Sequence, residues 1–189
     1  LPEVFNRAQE IAQREGCDFI RLEPLLGDTL ENRAEFARLG FREAPLHLYP
    51  ERAWLLPLDK SENELLKGMR KTTRHAIKRA AEAGVAVRMS TDPAALKAFF
   101  ALYETTAATQ QFTPFSRAFL TAEFEIFGQQ NKVALFFGTL GGEVISTAFV
   151  VFDNESGYYH HGASKKDGRI NASHLVQWEA IKEAKRRGC

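Results

Sequence analysis

The feature that most constrains the fold of this chain is a ten-residue segment near its start that recurs at its end. Residues 8–17, AQEIAQREGC, match residues 180–189, AIKEAKRRGC, at the two Ala positions and at Arg, Gly and Cys. The offset of 172 residues suits one α/β domain. Tandem duplication would mean that the chain starts late in one domain and stops at the same point of the next. A chance match between two helix ends is the alternative.

The predicted elements fall into two groups with different orders. The group in 1–58 reads helix, strand, helix, strand, strand, at residues 4–15, 17–23, 29–39, 41–49 and 53–58. The group from Val85 onward reads strand, helix, helix, three strands and a helix, at residues 85–89, 93–110, 116–128, 133–139, 143–152, 157–163 and 173–187. If the group from Val85 onward is placed before the group in 1–58, and the helix that ends the one and begins the other is counted once, the elements follow the order of the GNAT acyltransferase fold.

One long basic helix is predicted between the two groups, from residue 59 to residue 83. Ser61 and Glu64 have the spacing of a capping box, and Gly84 suits the helix end. No acidic residue occurs between positions 65 and 81, where six basic residues stand: Lys67, Arg70, Lys71, Arg74, Lys78 and Arg79. Four of these, at 67, 71, 74 and 78, share one helix face and suit phosphate contacts. An ordinary solvated helix face is the alternative.

Charge and cysteine content exclude several classes of function. The formal net charge of +1 predicts no general attraction to nucleic acid or anionic lipid, so any electrostatic site must be local. Two cysteines give no disulfide framework, which favours a reducing, cytoplasmic compartment. His160 and His161 are adjacent on a predicted strand and should point to opposite faces. We therefore expect no metal site.

The chain start has neither a basic segment nor an apolar core of a signal peptide. The most apolar stretch, from Val133 to Phe152, is interrupted by glycines and a glutamate. It therefore predicts two short strands around a turn rather than a membrane span.

Two motifs resemble the FemABX family of paired GNAT-like domains. The first runs from Trp54 through the basic segment to Val85 and resembles the family's junction between domains. The second comprises residues 158–164, YYHHGAS, followed by residues 175–188. The resemblance implies an α/β (α+β) GNAT-like fold in parts of two tandem domains joined by a basic helix. Residues 1–58 would be the C-terminal half of the first domain, 59–84 the connecting helix, and 85–189 the N-terminal part of the second.

The resemblance also implies an activity and its partners. FemABX enzymes transfer an amino acid from aminoacyl-tRNA to an amine of a peptidoglycan precursor, either UDP-linked or lipid-linked, and so build interpeptide bridges during cell-wall biogenesis. The family implies no metal and no acyl-CoA cofactor, a cytoplasmic location, and at most a peripheral membrane contact. Since other parts of the family's domains are missing from these residues, we expect the 189-residue chain alone to be inactive.

The loop before the last helix offers a check on the acyl donor. GNAT enzymes that use acyl-CoA bind pyrophosphate with a glycine-rich loop at this place. Here Gly168 is the only glycine in the sequence of residues 165–173. Ile170 occupies a position where close approach of the pyrophosphate to the backbone needs a small residue. An acyl-CoA-dependent N-acyltransferase is therefore disfavoured but stays an alternative. A second alternative is a non-catalytic GNAT-like module that binds RNA or anionic lipid through the basic helix.

Individual site residues follow from the resemblance. Glu23, at a strand end near the family's pocket, is the candidate base that holds or deprotonates the acceptor amine. Tyr159 and His161 should share one strand face at the precursor pocket, and Arg117 is a candidate ligand of the precursor's phosphates. Contacts to tRNA phosphates fall to Lys67, Arg70, Lys71, Arg74 and Lys78. Asp153 is expected to serve the turn before residue 155 rather than the chemistry.

Overall fold

The computed structural model describes residues 2–24, 26–45, 53–165 and 170–189. The chain divides into two compact units, an N-terminal unit of residues 1–56 and a C-terminal unit of residues 57–189. Across the described residues, no helix combines the length and the apolar character needed to cross a bilayer.

The N-terminal unit contains helix α1 (Pro2–Arg14) and helix α2 (Leu30–Arg38). Phe5 of α1 packs against Phe36 and Phe41, with ring centroids 5.8 and 4.9 Å away. Thr29 begins α2, because its hydroxyl accepts the N–H of Asn32 at 3.1 Å. Both helices agree with the sequence-based prediction.

The strands predicted in 1–58 are wrong wherever the structure describes them. Residues 17–23, 41–45 and 53–58 form no strand, and residues 46–49 of the second predicted strand lie outside the described residues. An alternating pattern favours an extended backbone. A strand also needs a hydrogen-bonded neighbour, which the pattern does not supply.

The C-terminal unit is built on a four-stranded antiparallel sheet in the order β1-β2-β3-β4. Its strands are β1 (Ala86–Ser90), β2 (Val133–Leu140), β3 (Glu143–Phe152) and β4 (Gly157–Ser164). The predicted strands of this unit are confirmed to within about a residue. Asp153 serves the turn between β3 and β4 as expected, because its Oδ1 accepts the N–H groups of Glu155 and Ser156.

Helices cover both faces of this sheet. Helices α5 (Leu96–Gln110) and α6 (Arg117–Gly128) pack on one face, and α7 (Ala172–Arg187) packs on the other. The largest fully buried side chains of the α5–α6 side are Phe99, Phe124, Phe137, Phe149, Leu120, Leu135 and Val133. Because both faces are covered, β2 and β3 are apolar along nearly their whole length rather than alternating.

The single basic helix predicted across residues 59–83 is wrong. The segment forms two helices, α3 (Glu62–Gly68) and α4 (Lys71–Glu82), separated by Met69 and Arg70 in extended conformations with ψ of 155° and 145°. The capping box of α3 is present as predicted. The Arg74 guanidinium closes the break by donating to the carbonyls of Lys67, at 3.0 Å, and Met69.

Burial explains why the helix breaks. Leu65 of α3 and Ile77 of α4 are 5% and 7% exposed and belong to one apolar cluster with Trp178 of α7. On a continuous helix, residues twelve apart would point about 120° away from each other. The break lets both side chains enter the same cluster.

The two copies of the ten-residue repeat end in the same way. At Gly16 and Gly188, φ is +68° and +85°, and the following cysteine N–H donates to the Ala carbonyl five residues earlier, at 2.8 and 3.1 Å. The residues after Gly40 and Gly84 form the same hydrogen bond at the ends of α2 and α4, where Phe41 N–H donates to the Phe36 carbonyl and Val85 N–H to the Ala80 carbonyl, each at 3.0 Å. The shared cap is therefore a general helix ending in this chain and does not distinguish duplication from chance.

Candidate functional site

A β-bulge in β4 sets the geometry of the candidate site. Phe149 of β3 pairs with His161, whereas the next residue, Val150, pairs with Tyr159, so His160 is the extra residue. Cross-strand partners share a sheet face. His161 therefore lies with Phe149 on the α5–α6 face, and Tyr159 lies with Val150 on the α7 face.

The bulge overturns two predictions from the sequence. Tyr159 and His161 do not share a face, because the extra residue between them shifts the alternation by one position. His160 and His161 do not point apart, because both reach Glu123 of α6. Strict alternation holds only in a regular strand, and a bulge leaves no mark in the sequence of one strand.

Glu123 lies between the two histidines. Its Oε1 is 2.6 Å from His160 Nδ1, and its Oε2 is 3.5 Å from His161 Nε2. The imidazole rings are 4.3 Å apart. The side chains of Glu123 and His161 are only 9% and 7% exposed, whereas that of His160 is 42% exposed. The cluster therefore has a buried inner end at His161 and an accessible outer end at His160.

Burial controls the charges of this cluster. Burial raises the pKa of the Glu123 carboxyl, and the charge of His160 opposes that effect. Burial, with the nearby His160, lowers the pKa of His161 to about 4, so His161 is neutral at pH 7. Glu123 Oε2 and His161 Nε2 are both buried, and among the residues that the structure describes neither has a hydrogen-bond partner. Two unsatisfied polar atoms facing each other are costly to bury unless something joins them.

Aromatic rings surround the inner end of the cluster. The His161 ring packs edge-on against Phe115, Phe149 and Tyr103, at centroid distances of 5.1, 5.7 and 6.1 Å. Phe115 stacks on Phe119 at 5.3 Å, and both rings are about half exposed. The cluster therefore meets the surface beside an aromatic patch, where it could hold a cation or exchange a proton.

Glu123 was missed in the sequence reading. It follows the buried Leu120 by three residues and precedes the buried Phe124, so it stands at an inward position of α6. A carboxylate at an apolar position of a predicted helix is the signal that could have identified it.

Arg117 is already paired within the C-terminal unit. Its guanidinium binds both carboxylate oxygens of Glu104, at 2.5 and 2.6 Å, and lies 5.1 Å from the centre of the Phe100 ring. The hydrogen bond with Arg117 lowers the pKa of Glu104, so this carboxylate is ionised and balances the arginine charge. A phosphate would have to compete with Glu104 for Arg117.

Tyr159 is half exposed and lies away from the histidine cluster. Burial raises the pKa of the Tyr159 hydroxyl, and a hydrogen bond with Gln177 of α7 acts in the opposite direction. The end of its ring covers Gly162, where a Cβ would overlap the hydroxyl.

The predicted phosphate-binding residues are divided by the break between α3 and α4. Lys67, Arg70 and Lys71 are exposed, and within the described part of the chain none of the three forms an ion pair. Lys78 lies 3.5 Å from Glu82, and Arg74 is occupied by backbone carbonyls. The accessible positive charge is therefore concentrated at the break.

Glu23 and the donor loop lie elsewhere. Glu23 is exposed in the N-terminal unit and lines a cleft of about 960 Å³ with residues from 18–24 and 32–45. Gly168 falls in the loop segment 166–169, outside the described residues, so the loop-based argument about the acyl donor stays a prediction. Ile170 is described and packs partly buried against the cluster around Trp178.

A family model described as an acetyltransferase (GNAT) domain matches residues 67–189. Among solved structures, the crystal structure of FemX has 18% sequence identity and a TM-score of 0.74, covering 99% of this chain. This chain spans 65% of the length of that FemX chain. The predicted GNAT-like fold and its resemblance to the FemABX architecture are thereby confirmed.

Two further solved structures are more distant. The C-terminal domain of a putative lysylphosphatidylglycerol synthetase from Agrobacterium fabrum has 10% identity and a TM-score of 0.50, over 70% of this chain and 40% of its own. A predicted acetyltransferase from Clostridium acetobutylicum, solved with acetyl-CoA, has 16% identity and a TM-score of 0.44, over 55% and 75%. A sequence search of curated proteins returned no match.

Proposed function

The chain belongs to the acetyltransferase (GNAT) domain family, and from that premise we propose that it is part of an aminoacyltransferase acting on a peptidoglycan precursor. One observation carries this proposal. The similarity to FemX covers 99% of the chain and so includes the N-terminal unit, beyond the residues that match a single GNAT domain. On this proposal, residues 1–58 belong to a first GNAT-like domain, 85–189 to a second, and 59–84 connect them.

The proposed reaction forms an amide bond and breaks an ester bond. The acceptor amine attacks the carbonyl carbon of the aminoacyl ester, the C–O bond to the tRNA ribose breaks, and the ribose oxygen leaves with a proton. A lysine-like amine has a pKa of about 10.4 and must first lose a proton. Glu23 is the proposed group that holds or deprotonates this amine, because it is an exposed carboxylate in a cleft.

The tRNA is proposed to contact the break between α3 and α4. Lys67, Arg70 and Lys71 supply accessible positive charge there, and Lys78 extends it along α4. Arg74 contributes by holding the break in shape, since its guanidinium is bound to two carbonyls. Phosphate contacts of this kind give affinity without sequence readout.

The acceptor is proposed to be a UDP-linked or lipid-linked precursor in the cytoplasm, with a peripheral membrane contact if the precursor is lipid-linked. Tyr159, His161 and Arg117 remain proposed contacts to the precursor, with Tyr159 and His161 on opposite faces of β4. Arg117 would have to exchange Glu104 for a phosphate oxygen.

An acyl-CoA-dependent N-acyltransferase is the second candidate, because the matching family model is described as an acetyltransferase domain. The two candidates share the acceptor amine and differ in the donor. Binding of CoA at micromolar concentration would favour the second.

The test is a transfer assay with the full-length protein. Charged tRNAs carrying a labelled amino acid are incubated with the UDP-linked and the lipid-linked precursor in separate reactions. We expect label in one precursor, in an amide bond stable to mild base, and none when uncharged tRNA and free amino acid are supplied. Absence of transfer to either precursor with every charged tRNA would refute the proposal.

A further inference from the structure

Glu123 and His160 have no part in the proposed transfer, and together with His161, a proposed precursor contact, they form a cluster that the transfer does not explain. One possible ligand atom from each residue lies within 4.8 Å of the others. The three groups come from α6 and from the bulge of β4, which brings two adjacent histidines to one side of the strand. Both the carboxylate and the inner histidine are more than nine-tenths buried.

Hydrogen bonding accounts for the outer contact of the cluster, between His160 Nδ1 and Glu123 Oε1 at 2.6 Å, but not for the inner contact. The carboxylate oxygen Oε1 has a partner in His160, but Oε2 and His161 Nε2 face each other, and neither has a hydrogen-bond partner in the described part of the chain. Their separation of 3.5 Å exceeds the 2.7–3.2 Å typical of an N–H···O hydrogen bond. Two atoms bound about 2.0–2.1 Å from one tetrahedral ion are separated by about 3.3–3.4 Å. The spacing therefore fits a shared ion better than a shared proton.

We propose that Glu123, His160 and His161 bind one divalent transition-metal ion of the Zn²⁺ class. Two imidazoles and one carboxylate form a ligand set that suits Zn²⁺, whereas Mg²⁺ and Ca²⁺ prefer oxygen ligands alone and Cu⁺ prefers sulfur. The proton between His160 Nδ1 and Glu123 Oε1 leaves when the ion binds, because the ligating nitrogen must offer its lone pair.

Three protein ligands leave a fourth coordination position on a tetrahedral ion. His160 is partly exposed, and the Phe115–Phe119 pair beside the cluster is half exposed. The fourth position is therefore open to water or to a small ligand, as in catalytic rather than structural zinc sites.

The test is a zinc titration of the full 189-residue chain after treatment with a chelator. Isothermal titration calorimetry with ZnCl₂ should give one ion per chain with a dissociation constant of micromolar or below. His160→Ala and Glu123→Gln should each weaken binding at least tenfold. His160 is partly exposed, so its replacement keeps the fold and remains informative if Glu123→Gln does not fold.

Two control variants locate the ion. His75→Ala removes an exposed histidine of α4 outside the cluster, and Cys17→Ser removes an exposed thiol. Both should bind zinc as tightly as the unchanged chain. The proposal is overturned if the unchanged chain binds no zinc, or if His160→Ala binds it with unchanged affinity. Transfer activity plays no part in this readout, so its failure would leave the proposed function standing.

Discussion

Glu123 and Glu183 are two nearly buried carboxylates whose partners give them opposite electrostatic environments. The partners of Glu123, 9% exposed, are both histidines in the described part of the chain, and burial raises its pKa. Glu183, 10% exposed, binds Arg186 at 2.6 Å and Arg187 at 2.7 Å, and these hydrogen bonds lower its pKa. An arginine stabilises the charge of the carboxylate that is buried with it, and the proposed metal ion would stabilise the charge of Glu123 in the same way.

Glu183 gives a prediction about stability and pH. Glu183→Gln should lower the free energy of unfolding by about 1–2 kcal/mol at pH 7, because it removes charged hydrogen bonds to two arginines. A carboxyl whose folded pKa is lowered stabilises the protein above its unfolded pKa and loses that effect as pH falls through the folded pKa. The difference between the two proteins in urea unfolding should therefore begin to shrink as pH falls below the ordinary glutamate pKa of about 4.3, and should shrink further as pH falls through the lower folded pKa.

Glu179→Gln is the matched control on the same helix. Glu179 pairs with Lys182, at 2.8 Å, and is about one-third exposed, so its replacement should cost less than about 1 kcal/mol. A Glu183→Gln deficit of the same size at pH 7 and at pH 3 would contradict the ion-pair explanation.

The residue-level predictions from sequence succeeded where one side chain acts locally. The capping box of Ser61 and Glu64 and the Asp153 turn depend on neighbours two or three residues away, and both are present. The directions of the His160 and His161 side chains depend on how β4 pairs with β3. That pairing is a tertiary property, and so the sequence of β4 alone could not supply it.

At the scale of elements, α7 packs on β2 through a glycine. A Cβ built on Gly138 would lie 2.8 Å from Val176 Cγ2 of α7. Gly138→Ala should therefore lower the free energy of unfolding by about 1–3 kcal/mol, because the helix must move or Val176 must leave its rotamer.

Gly128→Ala is the control for this substitution. An alanine Cβ there would lie an ordinary 3.8 Å from Val133 Cγ1. Stability should therefore stay unchanged or rise by up to about 1 kcal/mol, because alanine has fewer conformations than glycine in the unfolded chain. Thermal or urea unfolding of both variants gives the comparison. Equal stability of Gly138→Ala and the unchanged chain would mean that α7 does not approach β2 as closely as described.

The break between α3 and α4 gives a prediction about tRNA. Lys71→Glu should weaken tRNA binding at low salt several-fold and reduce the slope of log affinity against log salt, because a phosphate contact is replaced by repulsion. Lys97→Glu, at an exposed position of α5, makes the same change of charge away from the break. Filter binding across a salt series measures both.

An equal loss of affinity in the two lysine variants would mean that the break is not the contact surface. Such a result would leave only a general charge effect. Arg74 is unsuitable for this test, because its replacement would remove the hydrogen bonds to the Lys67 and Met69 carbonyls as well as a positive charge.

The elements themselves were predicted unequally. The strands of the C-terminal unit are long apolar runs bounded by turns, and burial on both faces makes such runs easy to recognise. The basic segment has a helical pattern on both sides of Met69, and Gly68, the last residue of α3, is the one local signal that disfavours a helix next to the break. A single glycine is tolerated within many helices, so the break could be recognised only from the packing of α3 and α4 against α7.

At the scale of the whole molecule, sequence reasoning predicted the GNAT-like fold of the C-terminal unit. It also predicted the helices of the N-terminal unit, but not the absence of strands in that unit's described residues. Two short motifs carried the resemblance to FemABX proteins, and the fold similarity to FemX extends it to 99% of the chain at only 18% identity. At this level of sequence identity the two proteins share a fold, but a shared fold does not specify a substrate.

The identity of the acyl donor can be tested in a competition assay that contains both candidate donors in one reaction. The full-length protein receives aminoacyl-tRNA charged with a ¹⁴C-labelled amino acid, ³H-acetyl-CoA, and the precursor that accepts label in the transfer assay. An aminoacyltransferase should place ¹⁴C on the precursor amine and leave ³H in the CoA thioester. Precursor that carries ³H and no ¹⁴C would contradict the account and assign the chain to an acyl-CoA-dependent enzyme.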